Sequence, residues 1–245
     1  MRSIIRRIYA VALRKWSALC GIVHRIRGPK GTDTVTKSII GNNNEIEYRD
    51  ALLTNVAFDI AGNGNRITIK KNSSLNGVTF FVRGDYHSID IGEECSLGPG
   101  FTIWFEDERG QLIIGDRTIF AGYSHLTVIE PGSKIKIGND CLFAYNVDIR
   151  TGDSHSIIDT KSGKKVNFAK NISIGEHVWV AGHSIILKGV SILDDSIVAA
   201  GTVVTKSVDE KGVILAGNPA RIVKRGITWS GERNYQPDDK SGLST

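Results

Sequence analysis

The sequence predicts an all-β fold in which a parallel β-helix coils through three flat faces. Isoleucines recur at intervals of 22 or 23 residues from Ile69 to Ile137, and β-branched residues recur every six residues from Ile174 to Val204. The 27 glycines and the low aromatic content of 7% favour many tight corners around a thin core. A period of six suits a short strand and a corner, repeated three times per coil. Each branched residue then points inward and stacks on its counterpart one strand spacing away, ~4.8 Å.

The first 30 residues predict an amphipathic helix that precedes the β-helix. They carry eight basic side chains and no acidic one, and an apolar arc is centred on Ile8, Ala12, Trp16 and Leu19. Two roles stay open for this leader: it caps the first coil, or it lies on the inner surface of a membrane. The leader has no secretory cleavage site, and no apolar run in the chain reaches the ~18 residues of a membrane span. We therefore expect a cytoplasmic protein.

Beyond the leader, the charge is close to balanced. The remaining residues carry 23 basic and 26 acidic side chains, which disfavours a nucleic-acid-binding surface. Three cysteines, Cys20, Cys95 and Cys141, show neither metal-ligand spacing nor an even disulfide framework. Cys95 and Cys141 each stand four residues after the isoleucine of their coil. We expect these two in one buried file, two coils apart and beyond disulfide reach.

The β-helix domain is expected over residues 31–226, followed by a short tail over 227–245. Its early coils of 23 residues correspond to the later coils of 18 with five residues added at one corner. Ile46 stands 23 residues before Ile69, and we expect it in the same ladder. Glycine follows the later ladder isoleucines, at Gly92, Gly115, Gly138 and Gly175.

The step from Ile137 to Ile174 is 37 residues, a surplus of 14 that lies in the polar segment 151–171. Such an excursion adds nothing to the stability of a solenoid, and loops of this kind tend to be functional. His155 stands near its start, and an imidazole can take up a proton near neutral pH. Its orienting partner stays open among Asp148, Asp153 and a backbone carbonyl.

Residues 40–225 resemble the hexapeptide-repeat acyltransferases. The segment IGNDCLFAYNVDIRTGDSH (137–155) is similar to the one in which family members place their catalytic histidine, and Trp179 follows His155 by the family's 24 residues. The resemblance implies a left-handed coil and a direct acyl transfer. In it, His155 takes the proton of a sugar hydroxyl and passes it to the departing thiolate of coenzyme A. A backbone N–H near Gly182 would stabilise the oxyanion.

The last coils look like the family's coenzyme A-binding wall. Small residues would let the pantetheine arm lie against the backbone, and polar or basic ones would meet the phosphates and the adenine end. By this resemblance the cofactor-binding residues are Trp179, Gly182, Ala199, Ala200, Thr205, Lys206, Arg221 and Lys224.

Three further residues are candidates for contact with the acceptor sugar: His125, Asp153 and Trp104. His125 lies near the position where many family members carry a substrate-binding asparagine. Trp104 and Phe105 are expected in an inserted corner, where they would stack on a sugar ring or pack beneath the corner. His87, His177 and His183 are expected to be structural. The asparagines at 42–44 and 63–65 predict ladders at the corners.

The function that the resemblance implies is an acetyl-coenzyme A-dependent O-acetyltransferase. Its acceptor would be a saccharide, such as a cell-surface polysaccharide or its precursor, and its sites would lie between the subunits of a homotrimer. An N-acyltransferase acting on an amino sugar is the alternative within the same family. A zinc enzyme on the same fold is disfavoured because His177 and His183, one hexapeptide apart, should lie on different faces. A non-catalytic β-helix would have no use for the long loop, and no metal is expected.

Overall fold

The computed structural model describes residues 34–232, which form a continuous series of β-strands without a helix. No helix in this range is therefore long and apolar enough to cross a membrane. The leader helix predicted for residues 1–30 and the tail beyond residue 232 lie outside the described residues. The strands in chain order are β1 (Val35–Ile40), β2 (Glu45–Glu47), β3 (Leu52–Thr54), β4 (Val56–Ala61), β5 (Arg66–Ile69), β6 (Ser74–Asn76), β7 (Val78–Arg83), β8 (Ser88–Ile91), β9 (Ser96–Leu97), β10 (Phe101–Phe105), β11 (Gln111–Ile114), β12 (Ile119–Phe120), β13 (His125–Val128), β14 (Lys134–Ile137), β15 (Leu142–Phe143), β16 (Asp148–Arg150), β17 (Ile172–Ile174), β18 (Trp179–Val180), β19 (Ile185–Ile186), β20 (Ser191–Ile192), β21 (Ile197–Val198), β22 (Val203–Val204), β23 (Val213–Ala216) and β24 (Arg221–Arg225).

The strands alternate among three sheets. Sheet 1 has the order β1-β4-β7-β10-β13-β16-β19-β22, sheet 2 has β2-β5-β8-β11-β14-β17-β20, and sheet 3 runs from β3 through every third strand to β21, then β23 and β24. Successive strands of one sheet are parallel, and only the last pair, β23 and β24, is antiparallel. Because neighbours in a sheet are three strands apart in the chain, three strands make one coil. The predicted parallel β-solenoid is confirmed.

The ladders have the predicted register in the later coils. On sheet 2, Ile69, Ile91, Ile114 and Ile137 pair in sequence, and Ile137 pairs with Ile174. The six-residue series also divides among the three sheets as expected, because its members pair 18 residues apart. These pairs are Ile174 with Ile192, Val180 with Val198, and Ile186 with Val204, and all six side chains are buried.

The register expected for Ile46 is wrong. Ile46 pairs with Ile67 and not with Ile69, because the first coil has 21 residues and not 23. Tyr48 follows two positions later and packs against the core as a partly buried residue. The alternation of strand side chains keeps both residues on the inner face. A hydrophobic residue at either position satisfies the ladder, so the sequence alone did not distinguish the two registers.

The ladder glycines are required by close approach of the next coil. A Cβ atom on Gly115 would lie 2.5 Å from the carbonyl carbon of Gly138, and one on Gly138 would lie 2.5 Å from the carbonyl oxygen of Gly175. A Cβ atom on Gly92 or Gly175 would likewise lie 2.7 Å from a backbone atom of the following coil. These contacts are with backbone, which cannot move aside as a flexible side chain can. Only glycine fits at this corner.

The five extra residues of the early coils all lie in the stretch that begins within the sheet 1 strand and ends at the sheet 2 strand. Eleven positions separate Thr79 on sheet 1 from Asp90 on sheet 2, whereas six separate the equivalent Ile185 and Ser191. Part of the addition lengthens the strands of sheet 1. For this reason Trp104 and Phe105 lie inside β10, and their expected placement in an inserted corner is wrong. We call the corner between sheets 1 and 2 the wide edge.

The predicted file of small core residues is present beside sheet 3. Cys95, Thr118, Cys141 and Val178 are all buried, each immediately before a strand of that sheet. Cys95 and Cys141 are free cysteines. The predicted asparagine ladders are also present, since the N–H of Asn42 donates to Asn63 Oδ1 at 2.9 Å, and the N–H of Asn65 donates to Asn44 Oδ1 at 3.0 Å.

Candidate active site

Segment 151–171 leaves the solenoid at the wide edge, between β16 and β17, and folds into a hairpin. Its two arms meet at an antiparallel bridge between Ile158 and Lys165, and the N–H of Val166 donates to the carbonyl of Ile157 at 2.9 Å. At the tip, Asp159 Oδ1 accepts the N–H and the hydroxyl of Ser162 at 2.7 and 2.8 Å. The surplus residues therefore form an ordered projection on the flank of the solenoid.

His155 lies at the base of this hairpin and is exposed. Its N–H donates to the carbonyl of Asp153 at 2.7 Å, and its own carbonyl accepts from Asn167 Nδ2 at 2.8 Å. Within residues 34–232, the imidazole has no hydrogen-bond partner. Asp148 instead accepts two bonds from Arg150, so it does not hold the ring. The backbone of His155 is fixed, and its ring is free to meet a ligand.

Asp153 is exposed, but its carboxylate is bound within the protein. Its carboxylate pairs with Lys188 of the neighbouring coil and accepts from Asn167 Nδ2 at 2.8 Å. Burial raises the pKa of Asp153, but the bonds from Lys188 and Asn167 outweigh this effect and lower it overall. Asp153 is therefore an ionised anchor of the hairpin base, two residues from His155.

A second anchor holds the returning arm. Glu130 accepts from Lys165 Nζ at 2.5 Å and from the N–H of Ala169 at 3.0 Å. Burial raises the pKa of Glu130, and the bonds from Ala169 and Lys165 more than offset it, so its pKa is lowered. Both ends of the hairpin are thus joined to the solenoid by ionised carboxylates.

His125 and Trp104, two of the acceptor candidates, are neighbours on the outer face of sheet 1. Their rings make an edge contact with centroids 6.1 Å apart, and His125 Nδ1 lies 3.3 Å from the hydroxyl of Thr127. Burial lowers the pKa of His125, and nearby Arg150 adds to this against the opposing charge of Asp148. Trp104 also stacks on Phe81 with centroids 3.9 Å apart. One face of the indole is therefore covered.

Four of the predicted cofactor-binding residues lie on sheet 3 or at its corner with sheet 1. Trp179 belongs to β18 and is 36% exposed. Gly182 follows at the corner, and Ala199 and Ala200 occupy the same corner one coil later. The carbonyl of Gly182 accepts from Gly201, whereas its N–H has no partner among the described residues. Ala200 is exposed and Ala199 is half-buried, whereas Gly182 is buried, and a Cβ atom on it would lie 3.2 Å from the carbonyl oxygen of Tyr145.

The other cofactor-binding candidates lie elsewhere. Thr205 and Lys206 are exposed at the wide edge, immediately after β22. Arg221 and Lys224 are exposed on β24, at the end of sheet 3. His155 and Gly182 lie at opposite margins of sheet 1, one after β16 and the other before β19, so the chain does not place them at the same corner.

His177 and His183 each lie within hydrogen-bond distance of a neighbouring side chain. His177 Nδ1 lies 2.8 Å from Asp195 at the corner of sheets 2 and 3, and His183 Nδ1 lies 2.9 Å from Asn146 at the corner of sheets 3 and 1. The expectation that these two lie on different faces is confirmed. In the described part of the chain, no group of three or more His, Cys, Asp or Glu side chains is arranged to hold a metal ion.

Sequence reasoning missed Asn167, Lys188 and Glu130, which hold the hairpin in place. They lie 12, 33 and 25 positions from His155 in the sequence. None belongs to a repeat position or a motif. Their role depends on the path of the hairpin, which the periodicity of the solenoid does not encode.

Two similar proteins of known name are both polysialic acid O-acetyltransferases. No protein-family model matches the chain. The polysialic acid O-acetyltransferase of Neisseria meningitidis is 33% identical over 205 residues, which are 80% of this chain and 89% of that protein. The polysialic acid O-acetyltransferase of Escherichia coli O1:K1 is 35% identical over 164 residues, which are 67% of this chain and 44% of that protein. The chain thus matches less than half of the latter relative.

A solved structure of similar fold has a related name. The polysialic acid-specific acetyltransferase NeuO superposes with a TM-score of 0.69 at 29% identity, over 84% of this chain and 93% of that one.

Proposed function

This chain belongs to the hexapeptide-repeat acyltransferase family, and we propose that it transfers an acetyl group from acetyl-coenzyme A to a hydroxyl group of a saccharide. The observation that carries the proposal is the exposed His155, held by its backbone on an anchored hairpin of a solenoid whose relatives are saccharide O-acetyltransferases. The left-handed sense of the coil is part of the same family assignment.

The proposed donor site uses the corner after β18. When bound, acetyl-coenzyme A supplies an activated acetyl thioester. Gly182, Ala199 and Ala200 present little side chain and would leave room for the pantetheine arm beside Trp179. The exposed cations Lys206, Arg221 and Lys224, with the hydroxyl of Thr205, would bind the phosphates and the adenine end. The N–H of Gly182, which has no partner among residues 34–232, would donate to the carbonyl oxygen as negative charge develops on it.

His155 would act as the general base. A sugar hydroxyl has a pKa far above 7, so it attacks a thioester only when its proton is removed as the new bond forms. His155 takes this proton while the oxygen bonds to the acetyl carbon, and it returns the proton to sulfur as the carbon–sulfur bond breaks. The proton is thus conserved, and no acyl-enzyme is needed.

The proposed assembly is a homotrimer with each site between two subunits. Its support is the separation of His155 from Gly182 across sheet 1 in one chain. One copy would supply the hairpin and the next would supply the wall around Trp179 and Gly182. Closed threefold symmetry would make three equivalent sites.

The proposed acceptor is a polysaccharide or its precursor, and polysialic acid is the first to test because two relatives are named for it. His125, Trp104 and Asp153 stay candidates for acceptor contact, although Asp153 already binds Lys188 and Trp104 stacks on Phe81. The outer face of sheet 1 would carry this part of the site.

Thiol release from acetyl-coenzyme A, measured over a panel of polysaccharides, oligosaccharides and nucleotide sugars, tests the proposal. We expect release that depends on a hydroxyl-bearing acceptor, and a product whose acetyl group is removed by mild alkali. An alkali-stable acetyl group would identify an amide and favour the N-acyltransferase alternative. Absence of acceptor-dependent release across the panel would contradict the proposed function.

A further inference from the structure

The side-chain amide of Asn167 joins the two arms of the hairpin at His155. Asn167 is 8% exposed, although it lies in an otherwise exposed polar loop. Its Nδ2 donates to the carbonyl of His155 and to Asp153 Oδ2, both at 2.8 Å. Its Oδ1 accepts the N–H of Ile157 at 2.7 Å. All the hydrogen-bonding atoms of one buried amide are therefore used on the segment that carries His155.

The chemistry of these contacts selects asparagine. The carbonyl of His155 needs a donor, and the N–H of Ile157 needs an acceptor, on the same short side chain. An aspartate at this position would lack the donors and would place a second carboxylate beside Asp153. An apolar residue of similar size would leave both backbone groups unpaired. The donor and the acceptor of the asparagine side chain thus match the carbonyl before Ser156 and the N–H after it.

The amide is itself held by the solenoid. Lys188, on the neighbouring coil, donates through Nζ to the backbone carbonyl of Asn167 at 2.9 Å and pairs with Asp153. Two residues before Asn167, Lys165 binds Glu130. The position of Asn167 is therefore set from two neighbouring coils. The carbonyl of His155 is joined to this fixed point by the Asn167 side-chain amide.

We propose that Asn167 is a positioning residue that fixes the backbone from which the His155 imidazole reaches the reacting groups. The inference rests on the proposed role of His155 as the base. In the described part of the chain, the imidazole has no hydrogen bond of its own, so the region that the ring can reach is set by the position of its backbone. A catalytic group displaced by ~1 Å can lose ~10²-fold in rate. Asn167 therefore acts on the reaction through His155, without touching the substrate.

Two substitutions with a matched control test this proposal. We expect Asn167→Ala and Asn167→Asp to lower kcat by about 10- to 100-fold, with KM for acetyl-coenzyme A within about twofold of the wild-type value. Asn171→Ala is the control, because Asn171 lies in the same loop and accepts a hydrogen bond from Lys134 N–H at 2.9 Å, away from His155. The control should keep kcat within about twofold. Thermal unfolding should distinguish lost positioning from a failure to fold.

The double variant His155→Ala/Asn167→Ala separates positioning from a general structural role. If Asn167 acts through His155, its replacement should cause no further loss once the imidazole is gone. Amide hydrogen exchange of residues 153–157 should also become faster in Asn167→Ala and stay unchanged in Asn171→Ala, a readout that needs no acceptor.

Three results would overturn the inference: kcat of Asn167→Ala within twofold of wild type, an additive loss in the double variant, or unchanged exchange at residues 153–157. Failure of the proposed function has a different signature, namely full activity of His155→Ala or no activity of the wild-type protein. In that case the exchange experiment still reports whether Asn167 holds the backbone of His155.

Discussion

The imidazole Nδ1 of His87 accepts a hydrogen bond from the backbone N–H of Gly110, one coil above, at 3.0 Å. Its Nε2 lies 3.1 Å from the carbonyl oxygen of Arg83, and a carbonyl can only accept. His87 is therefore neutral, with its proton on Nε2. The N–H of His87 in turn donates to Asn65 Oδ1 at 2.9 Å, so the histidine continues the ladder formed by Asn44 and Asn65.

Acid should destabilise the solenoid through His87. Burial lowers the pKa of His87 below 6.5, against the raising effects of the Arg83 carbonyl and of Asp107 and Asp85. The unfolded chain then takes up a proton at a higher pH than the folded chain. The contribution of neutral His87 to the free energy of unfolding is fully present above about pH 6.5. It decreases as the pH falls below that value.

The variant His87→Asn should reduce this pH dependence, because it replaces the titratable ring with asparagine, the residue that forms the ladder at positions 44 and 65. Urea unfolding at pH 8 and pH 5 measures it, and the wild-type protein should lose more stability between the two than the variant does. An equal loss in both proteins would show that protonation of His87 does not destabilise the fold.

Cys95 and Cys141 should not react in the native protein. Burial raises the pKa of the Cys95 thiol to about 11 and that of the Cys141 thiol to about 12. Since the thiolate is the reactive form, iodoacetamide at pH 8 should leave both unmodified until denaturant is added. Peptide mass spectrometry assigns the label to each cysteine. Rapid native labelling of either one would contradict its place in the core file.

Gly138→Ala should be strongly destabilising. The new Cβ would lie 2.5 Å from the carbonyl oxygen of Gly175, and the backbone of two coils would have to separate, at a cost of ~1–3 kcal/mol or more. Gly132→Ala is the control, because nothing lies within 4 Å of its Cβ position and its φ of +72° costs only ~1 kcal/mol. Equal melting temperatures for the two variants would count against close coil contact as the reason for the glycine.

His155→Ala should lower kcat by ~10²–10⁴ through loss of the base. Folding and coenzyme A binding should change little, because the side chain is exposed and has no hydrogen bond within the described residues. Calorimetry with coenzyme A and thermal unfolding check these two points. Ser162→Ala at the hairpin tip serves as the control and should keep wild-type kcat. Retention of more than about a third of wild-type activity by His155→Ala would exclude it as the base.

The solenoid could be predicted because its repeat is local. A β-branched residue every six positions specifies strand, corner and inner face together, so Ile174, Val180 and Ile186 fall on three different sheets as expected. The prediction fails at Ile46, where the chain shortens its first coil to 21 residues. Both Ile46 and Tyr48 can fill an inner position, and hydrophobicity alone does not choose between them.

The candidate site was predicted in part. The surplus of segment 151–171 and the family spacing from His155 to Trp179 are visible in the sequence. Trp104 was misplaced because five added residues can lengthen a strand as well as a corner, and here they lengthen β10 and its neighbours. Whether the added residues form strand or corner is decided by the pairing of β10 with β7 and β13 in the neighbouring coils.

By itself, the sequence determined the three-faced coil, its ladder glycines and the segment that departs from the repeat. Each follows from residue spacing, because stacked coils repeat the same short-range contacts. Only the tertiary structure decided what holds His155 and which residues share a margin with it. Asn167, Lys188 and Glu130 reach the hairpin base from distant positions through one amide, one ammonium and one carboxylate. Such hydrogen bonds between non-repeating segments depend on the folded path of the loop, and no periodicity encodes that path.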